Sequence, residues 1–498
     1  MTTRLATLLI ALMLPAALAA RALSVSVGVP GTLASLVEQP EAVTALTATG
    51  TLDAADFHFM AREMPALATL DISAATIAAY DGEAIAGTRI YPAATLPAMI
   101  LAGSQLQQIR LPRTLAAIGD GALAGTQLRE LTVPASVAAI GSGAFAGCAA
   151  LQSAALGGAT LGHGAFAGCT ALRTAATAAQ AVPDRCFAGC TALTGLDGAA
   201  GLTAIGERAF ERCTALRAFA FGPRLRSIGP LAFAGAGLEA ASLEGCNALA
   251  EVGAGAFAGC TALRALSLPD GADAQRAVAM GCTALTDVRL PEGPVPAYAL
   301  AGAAEADATA ALAAATELGD YALQGVSAAA YVRLPASLEA LGHGAMEGMT
   351  GMRELDASAL DAVPQLGQDV WRGVEQSDVQ LTAAPTMIDA FEAAAQWQDF
   401  RISDTSGIDT PDADAPAGRI RAYFEGKTLI VELQGAAEAA VRGIQLYDSA
   451  GHTLARTNLT PDGRAAVDTA RWDENIYIVC ALGHDARVHA TIKIARNG

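Results

Sequence analysis

The sequence predicts an α/β solenoid, a ladder of short strands and short helical turns, followed by a small all-β C-terminal domain. Three observations predict it. A segment of the form Ile-Gly-x-x-Ala-Phe-x-Gly-Cys-x-x-Leu recurs at steps of 21 to 25 residues. Between copies lies a short stretch with apolar residues at positions 1, 4 and 6 and then proline, as in LRELTVP at 128–134 and LRALSLP at 263–269. The last 80 residues or so change to short runs such as KTLIVEL and NIYIVCAL, which read as strands. Hydrophobic residues make up 53% of the 498, yet aromatics only 5%, with alanine filling the difference. Small side chains suit thin, closely stacked layers better than one thick core.

The chain opens MTTRLATLLIALMLPAALAARA. Arg4 supplies a positive start, Leu5 to Leu14 are nearly all apolar, and Ala17-Leu18-Ala19 is a small-x-small cleavage pattern. Residues 1–20 therefore read as a secretory signal peptide. The apolar run is short for a bilayer span of about 20 residues. The first cysteine is Cys148, so no lipid-modified N-terminus is expected. The mature chain is expected to carry no transmembrane segment. The formal net charge of −18 opposes binding to nucleic-acid phosphates or to an anionic membrane.

Aligned on the large apolar residue, the repeats mark Leu101, Leu123, Phe145, Phe166, Phe187, Phe210, Phe233 and Phe257. The register continues through Ala279, Leu300, Leu323, Met346 and Trp371. Recurrence on every rung excludes a phosphate loop, which needs one glycine-rich copy opening a longer helix. The first glycine of each copy is expected to adopt positive φ, and the later one to end a short helical turn. In the strand stretch the last two apolar positions alternate, and proline, lacking an N–H, ends the strand. One such repeat cannot cover its own apolar face, so neighbours must stack. Cys148, Cys169, Cys190, Cys213, Cys260 and Cys282 occupy one slot, three residues after the large apolar residue. Parallel side chains in a column suit disulfide geometry poorly, and the total of nine is odd. They are expected to be buried free thiols.

This motif and the strand that follows it resemble the BspA-type leucine-rich repeat, over residues 85–395. Residues 24–84, including GTLASLV and LDAADFHFMAREMPALATLDIS, resemble the entry segment of such proteins, a cap followed by the first leucine-rich strands. The resemblance implies an exported bacterial surface protein, often from Bacteroidetes, acting in adhesion or protein recognition. At 271–315 the Phe and the first Gly of the motif are lost.

Residues 403–418 are rich in Asp, Thr, Pro and Gly and read as an acidic linker. Residues 419–498 read as a β-sandwich, with a turn at DSAG (448–451) joining two strands. This tail resembles the C-terminal sorting domain of the type IX secretion system, on Tyr447, Asp448 and Gly451, Tyr477 with Ile478 and Val479, and Lys493 with Ile494. His452 and Asn475 depart from that pattern, standing where Arg and Gly are usual. The resemblance implies type IX machinery as a partner and a surface or extracellular location.

No HExxH, no GxSxG and no CxxC occurs, and the six histidines fall in no ligand pair. The chain is expected to be no enzyme and to hold no cofactor or metal. The residue between the last two apolar positions of each strand stretch should face outward. These candidate binding positions are Arg110, Thr132, Asp197, Ser267, Arg289, Arg333 and Asp356, with Ala155 among them. No aromatic platform for sugar stacking is visible along them. The expected function is non-catalytic binding of a protein or cell-surface ligand. The alternative is a secreted structural protein whose repeats stack with other copies.

Overall fold

The computed structural model describes residues 20–85, 87–404, 419–425, 427–434, 441–448, 453–460, 464–470, 472, 476–483 and 488–495. Residues 1–19 of the expected signal peptide and 405–418 of the expected linker lie outside the described residues. The chain divides into two units, Met1–Leu355 with Ala362–Val379, and Asp356–Asp361 with Gln380–Gly498.

The first unit starts with strand Arg21–Val27, parallel to Val43–Leu52, which pairs in turn with Thr69–Asp71. Helix Ala54–Glu63 lies between them in sequence and starts at a capping box of Asp53 and Asp56, which satisfies N–H groups left over at the helix start. Asp56 is 1% exposed. Its carboxylate is satisfied there by the Gly31, Leu33 and Asp53 N–H groups at 2.8, 2.8 and 3.0 Å. Phe57 and Met60 on the same helix are buried. A hairpin of Tyr80–Ile85 and Thr88–Tyr91 follows.

From there most rungs supply two parallel strands. A three-residue strand follows the leucine, as in Glu130–Thr132, Ser153–Ala155, Thr174–Ala176 and Gly195–Asp197, paired in register. A two-residue strand precedes the motif glycine, as in Ala117–Ile118, Ala139–Ile140 and Thr160–Leu161, and Thr95–Leu96, followed by Pro97, pairs at the start of the same ladder. The second ladder is not evident in the sequence because two residues carry no alternation to detect.

The stacked solenoid and the all-β tail agree with the expected fold class. Within the repeats, however, the short helical turn is replaced by a non-helical third side. Gly143, Phe145 and Gly147 donate their N–H groups to His163, Ala165 and Ala167 of the next rung at 2.8, 2.8 and 2.7 Å. Between them, Ala144, Ala146 and Cys148 donate three residues back within the rung. Gly143 and Gly147 have φ of 59° and 72°, and residues at positive φ interrupt a right-handed helix.

The first motif glycine also differs from expectation. It is the second and third glycines, not the first, that take positive φ. The first is needed for space. A Cβ on Gly162 would lie 2.4 Å from the Gly141 carbonyl carbon and the Ser142 nitrogen, both backbone atoms of the preceding rung.

The core is a column of rings and thiols. Phe145, Phe166, Phe187, Phe210, Phe233 and Phe257 are fully buried. Neighbouring rings stack at 5.1 to 5.6 Å, within 12° of parallel. Each buried Phe contributes about 1.5–3 kcal/mol by area. Cys148, Cys169, Cys190, Cys213, Cys260 and Cys282 are free and buried. The Cys169, Cys190 and Cys213 thiols donate to the carbonyls of Phe145, Phe166 and Phe187, each at 3.2 Å. Cys260 and Cys282 repeat this with Phe233 and Phe257 at 3.1 Å. The column is thus a hydrogen-bonded thiol ladder. Burial pushes Cys213, Cys260 and Cys282 up to about 12.

The three-residue ladder stops after Gly195–Asp197 and resumes at Ala240–Ser242. Phe219 and Phe221 sit in the gap and meet Phe233 edge-on at 5.1 and 5.6 Å. Across 271–315, where the motif is degenerate, Ala279 and Leu300 fill the ring position, both fully buried. Helix Ala308–Leu312, capped by Asp307, comes between strands Asp287–Arg289 and Tyr331–Arg333 in this stretch.

In the second unit, strand Gln380–Ala383 pairs with Arg401–Asp404. Residues 403 and 404 of the expected linker are therefore strand. Helix Ile388–Ala393 carries Phe391, buried edge-on against Trp397 at 5.2 Å. The tail forms two antiparallel sheets. One joins Arg419–Glu425, Thr428–Gln434 and Arg464–Asp468; the other joins Thr453–Asn458, Val441–Tyr447, Ile476–Gly483 and Val488–Ala495. Leu429, Val431, Ile444, Leu446, Tyr477 and Val479 form its core.

Candidate binding face of the repeats

The three-residue strands present two outward rows, not one. The inward residue is the middle one, as Leu131, Ala154, Ala175 and Leu196 are buried. On its C-terminal side Thr132, Ala155 and Asp197 are exposed and Ala176 is half-buried. On its N-terminal side lie Glu130, Ser153 and Thr174, which are not among the positions expected from the sequence. The alternation of a strand requires both rows, so the signal was in the same pattern.

These side chains are short. They leave a groove of about 210 Å³ across the strands from 130–132 to 195–197. Its walls carry hydroxyls from Thr132, Ser153 and Thr174, methyls from Ala155 and Ala176, and the carboxylates of Glu130 and Asp197.

The predicted outward positions fall into separate stretches. Thr132 and Asp197 line the groove. Arg110 lies in the first sheet and pairs with Asp71 at 3.4 Å. Ser267 is half-buried beside Ser242, hydroxyl to hydroxyl at 3.4 Å. Arg289, one strand further, pairs with Asp270 at 2.9 Å and Glu244 at 3.4 Å. Arg333 is exposed, and its backbone N–H donates to the Thr309 hydroxyl at 3.1 Å. Asp356, in the second unit, is half-buried and accepts from the Ser358 N–H at 2.9 Å. The structure therefore brings Thr132, Ala155 and Asp197 to one site, and Arg110, Ser267, Arg289, Arg333 and Asp356 do not line it.

One residue before each strand runs a further exposed row, Gln107, Arg129, Gln152 and Arg173, on successive rungs. Backbone bonds join them, from Arg129 N–H to Gln107 at 3.2 Å, Gln152 to Arg129 at 2.7 Å and Arg173 to Gln152 at 2.9 Å.

An aromatic stack does occur, away from the strands on which none is expected. In the slot of the second motif glycine, Tyr298 and Tyr321 stack at 5.1 Å. The Arg276 guanidinium lies 5.9 Å from the Tyr298 ring centre, and His343 meets Tyr321 edge-on at 5.0 Å. Both tyrosines are half-buried, with φ of 59° and 56°. Their ring faces are engaged along the stack.

In the tail, Tyr477 is fully buried among Phe424 and Trp472, at 5.6 and 6.5 Å. Tyr447 is half-buried and Asp448 is 8% exposed. Lys493 lies on the strand opposite Ile478, and Gly451 lies outside the described residues. Among the described residues no cluster of three or more His, Cys, Asp or Glu side chains is arranged to hold a metal. No helix of the described residues is long and apolar enough to cross a membrane.

Residues 95–180 and 180–303 match the BspA type leucine-rich repeat region in six copies. Among solved structures, a leucine-rich repeat protein from Bacteroides ovatus ATCC 8483 is similar at 17% identity and a TM-score of 0.50, over 76% of this chain and 86% of that one. A leucine-rich cell surface protein from Faecalibacterium prausnitzii A2-165 is 20% identical over 56% of this chain and 85% of its own, with a TM-score of 0.30. No curated protein matches the chain. The stretch 95–303 thus carries BspA type leucine-rich repeats, on a leucine-rich repeat solenoid.

Proposed function

We propose that this is an exported bacterial cell-surface protein that acts without catalysis, binding a protein or cell-surface ligand through the three-residue strand face of its repeats. The observation that carries the reading is the groove across strands 130–132 to 195–197, where short side chains leave room on that face. Solenoids distribute binding over such ladders because every rung repeats the same outward positions. The N-terminal apolar segment supports export, and the antiparallel sandwich of the tail supports a role in type IX sorting, with Tyr447, Asp448, Gly451, Tyr477 and Lys493 as the motif residues.

The test is localisation in a host with type IX export, comparing the full chain with one ending near Gly418. The full chain is expected at the cell surface or in the medium, and the shortened one in the periplasm. Equal distribution of the two would refute the sorting role and move the search for partners to the periplasm.

A further inference from the structure

Strand Arg21–Val27 stands at the end of its sheet and pairs with Val43–Leu52. Among the described residues nothing pairs with its other side. On the far side of Val43–Leu52 the Thr44 carbonyl accepts from the Ala68 N–H at 2.8 Å. Successive residues of a strand turn their N–H and C=O to opposite sides, so Ala45, Thr47 and Thr49 turn theirs toward Arg21–Val27. In the parallel register those groups reach Leu23, Val25 and Val27, and a Cβ on Gly50 would meet the Val27 carbonyl oxygen. Ala22, Ser24 and Ser26 therefore turn their N–H and C=O away from the sheet. The same three residues are exposed, and Leu23 and Val25 are only half-buried. Edges of this kind are usually blunted by shortness, proline, lysine or an inward charge. The ladder edge at Thr95–Leu96 is two residues long, and that at Arg401–Asp404 has a charge at each end. Arg21–Val27 has seven residues, no proline and no charge beyond Arg21.

We propose that this edge is an interface between two copies of the chain, in which Arg21–Val27 pairs antiparallel with the same strand of a second copy about a two-fold axis at Ser24. The strand is its own complement in that register. Ser24 falls opposite Ser24 of the partner subunit, Ala22 opposite the partner's Ser26, and Ser26 opposite the partner's Ala22. These are the three residues whose N–H and C=O turn outward, so each exchanges both bonds with the residue it faces. Leu23 falls opposite the partner's Val25, and Val25 opposite the partner's Leu23. Those are the closely spaced positions between the bonded pairs, where apolar side chains meet best. Arg21 falls opposite the partner's Val27, so no like charges meet. A shift of one residue sets Leu23 beside a serine and a free N–H against a group already bonded. Longer shifts leave strand ends unpaired, and the Ser24 register alone joins all seven residues. A two-fold contact of this kind closes on itself, so assembly stops at the dimer. The inference takes residues 1–19 to be removed, and in that it rests on the export reading above.

The test is sedimentation velocity of the purified mature chain, Ala20 to Gly498, over a range of concentrations. A monomer–dimer equilibrium is expected. Ser24→Lys leaves the paired side of the strand untouched and sets like charges across the axis, so it should weaken the dimer about tenfold or more. Its thermal unfolding at high dilution should match that of the parent chain, which separates loss of the dimer from loss of the fold. Cross-linking reads the register. Opposed residues of a hydrogen-bonded pair stand about 5.5 Å apart between Cα atoms, within reach of a disulfide. Under oxidation Ser24→Cys should give a covalent dimer, linked through residue 24 by peptide mass. Ser26→Cys should not, because Ser26 faces the partner's Ala22. A monomer at every concentration overturns the proposal. So does a dimer that Ser24→Lys leaves intact, or one that Ser26→Cys links as readily as Ser24→Cys. The chain is measured from Ala20, so none of these outcomes bears on where it is exported, and failure here is distinct from failure of the localisation test.

Discussion

Replacing Gly162 by alanine separates two reasons for a glycine that the repeat puts side by side. Gly162 is the first motif glycine of its rung and has ordinary φ, but its Cβ would stand 2.4 Å from backbone atoms of the preceding rung. Relieving that overlap requires the rungs to part by about 1 Å, given carbon contacts of about 3.5 Å. The hydrogen bonds that join those rungs are 2.7 to 2.9 Å long, among them Thr160 N–H to Ala138 and Gly147 N–H to Ala167. Overpacking of about 1–3 kcal/mol and the weakening of two or more such bonds, each about 1 kcal/mol net, give a loss of about 3–5 kcal/mol. Gly164, two residues later, has φ of 58°, but its added Cβ would meet only the Ala167 methyl at 3.7 Å. Gly164→Ala should lose about 1–2 kcal/mol, the strain of a left-handed alanine. Gly158 has neither constraint, and Gly158→Ala should change stability by no more than about 1 kcal/mol. Thermal unfolding ranks the three, and amide exchange locates the effect. Protection should fall on the rungs on either side of residue 162. If Gly162→Ala proves no worse than Gly164→Ala, close approach is not the reason for the first glycine and the explanation fails.

Other consequences are separable in the same way. The thiol ladder makes the fold sensitive to alkali. Buried thiols held protonated bind protons that the unfolded chain releases above its ordinary value of 9.0. The thiols' contribution to stability should therefore be constant below about pH 9 and be lost as pH rises toward about 12. Replacing the six ladder cysteines by alanine should flatten that decline, and an unchanged profile would argue against buried thiols. In the native protein an aromatic disulfide reagent should reach few thiols besides Cys480, the one cysteine that is not buried; rapid titration of most of them would contradict the column. Phe187→Ala removes a ring that stacks at 5.5 Å on both Phe166 and Phe210 and should cost about 3–5 kcal/mol. Tyr477→Phe deletes a buried hydroxyl that has no hydrogen-bond partner among the described residues. It should hold or raise the melting temperature of the tail. A loss above about 1 kcal/mol would mean that the hydroxyl has a partner.

The period is legible in the sequence because every rung must fill the same inward slots. Leucine, phenylalanine and cysteine at fixed offsets are enough to specify a column, and the Phe and Cys columns sit where that spacing puts them. The turn is not legible. Gly-Ala-Phe-Ala-Gly is compatible with a helical turn by composition. What prevents the helix is alternate N–H groups turning to the next rung, a tertiary choice that leaves no local signature. The two meanings of glycine are likewise hidden, since a sequence does not distinguish a residue chosen for φ from one chosen for space. The Tyr298–Tyr321 stack is accessible in principle. The two residues are one repeat apart, so aligning every slot, and not only the strand positions, reveals it.

The same reasoning explains why the outward-facing residues are informative when taken by rung. An isolated exposed arginine is ordinary, and a surface ion pair contributes about 0–1 kcal/mol. On this ladder, however, the backbone places equivalent residues at one register, so each charge has a defined set of neighbours above and below. Arg217 faces Glu239 on the next rung and is satisfied. Arg129 and Arg173 face Gln152 between them, a neutral residue in the same register. The difference is set by which side chain the repeat happens to stack, and it leaves two like charges aligned with nothing between them to neutralise either.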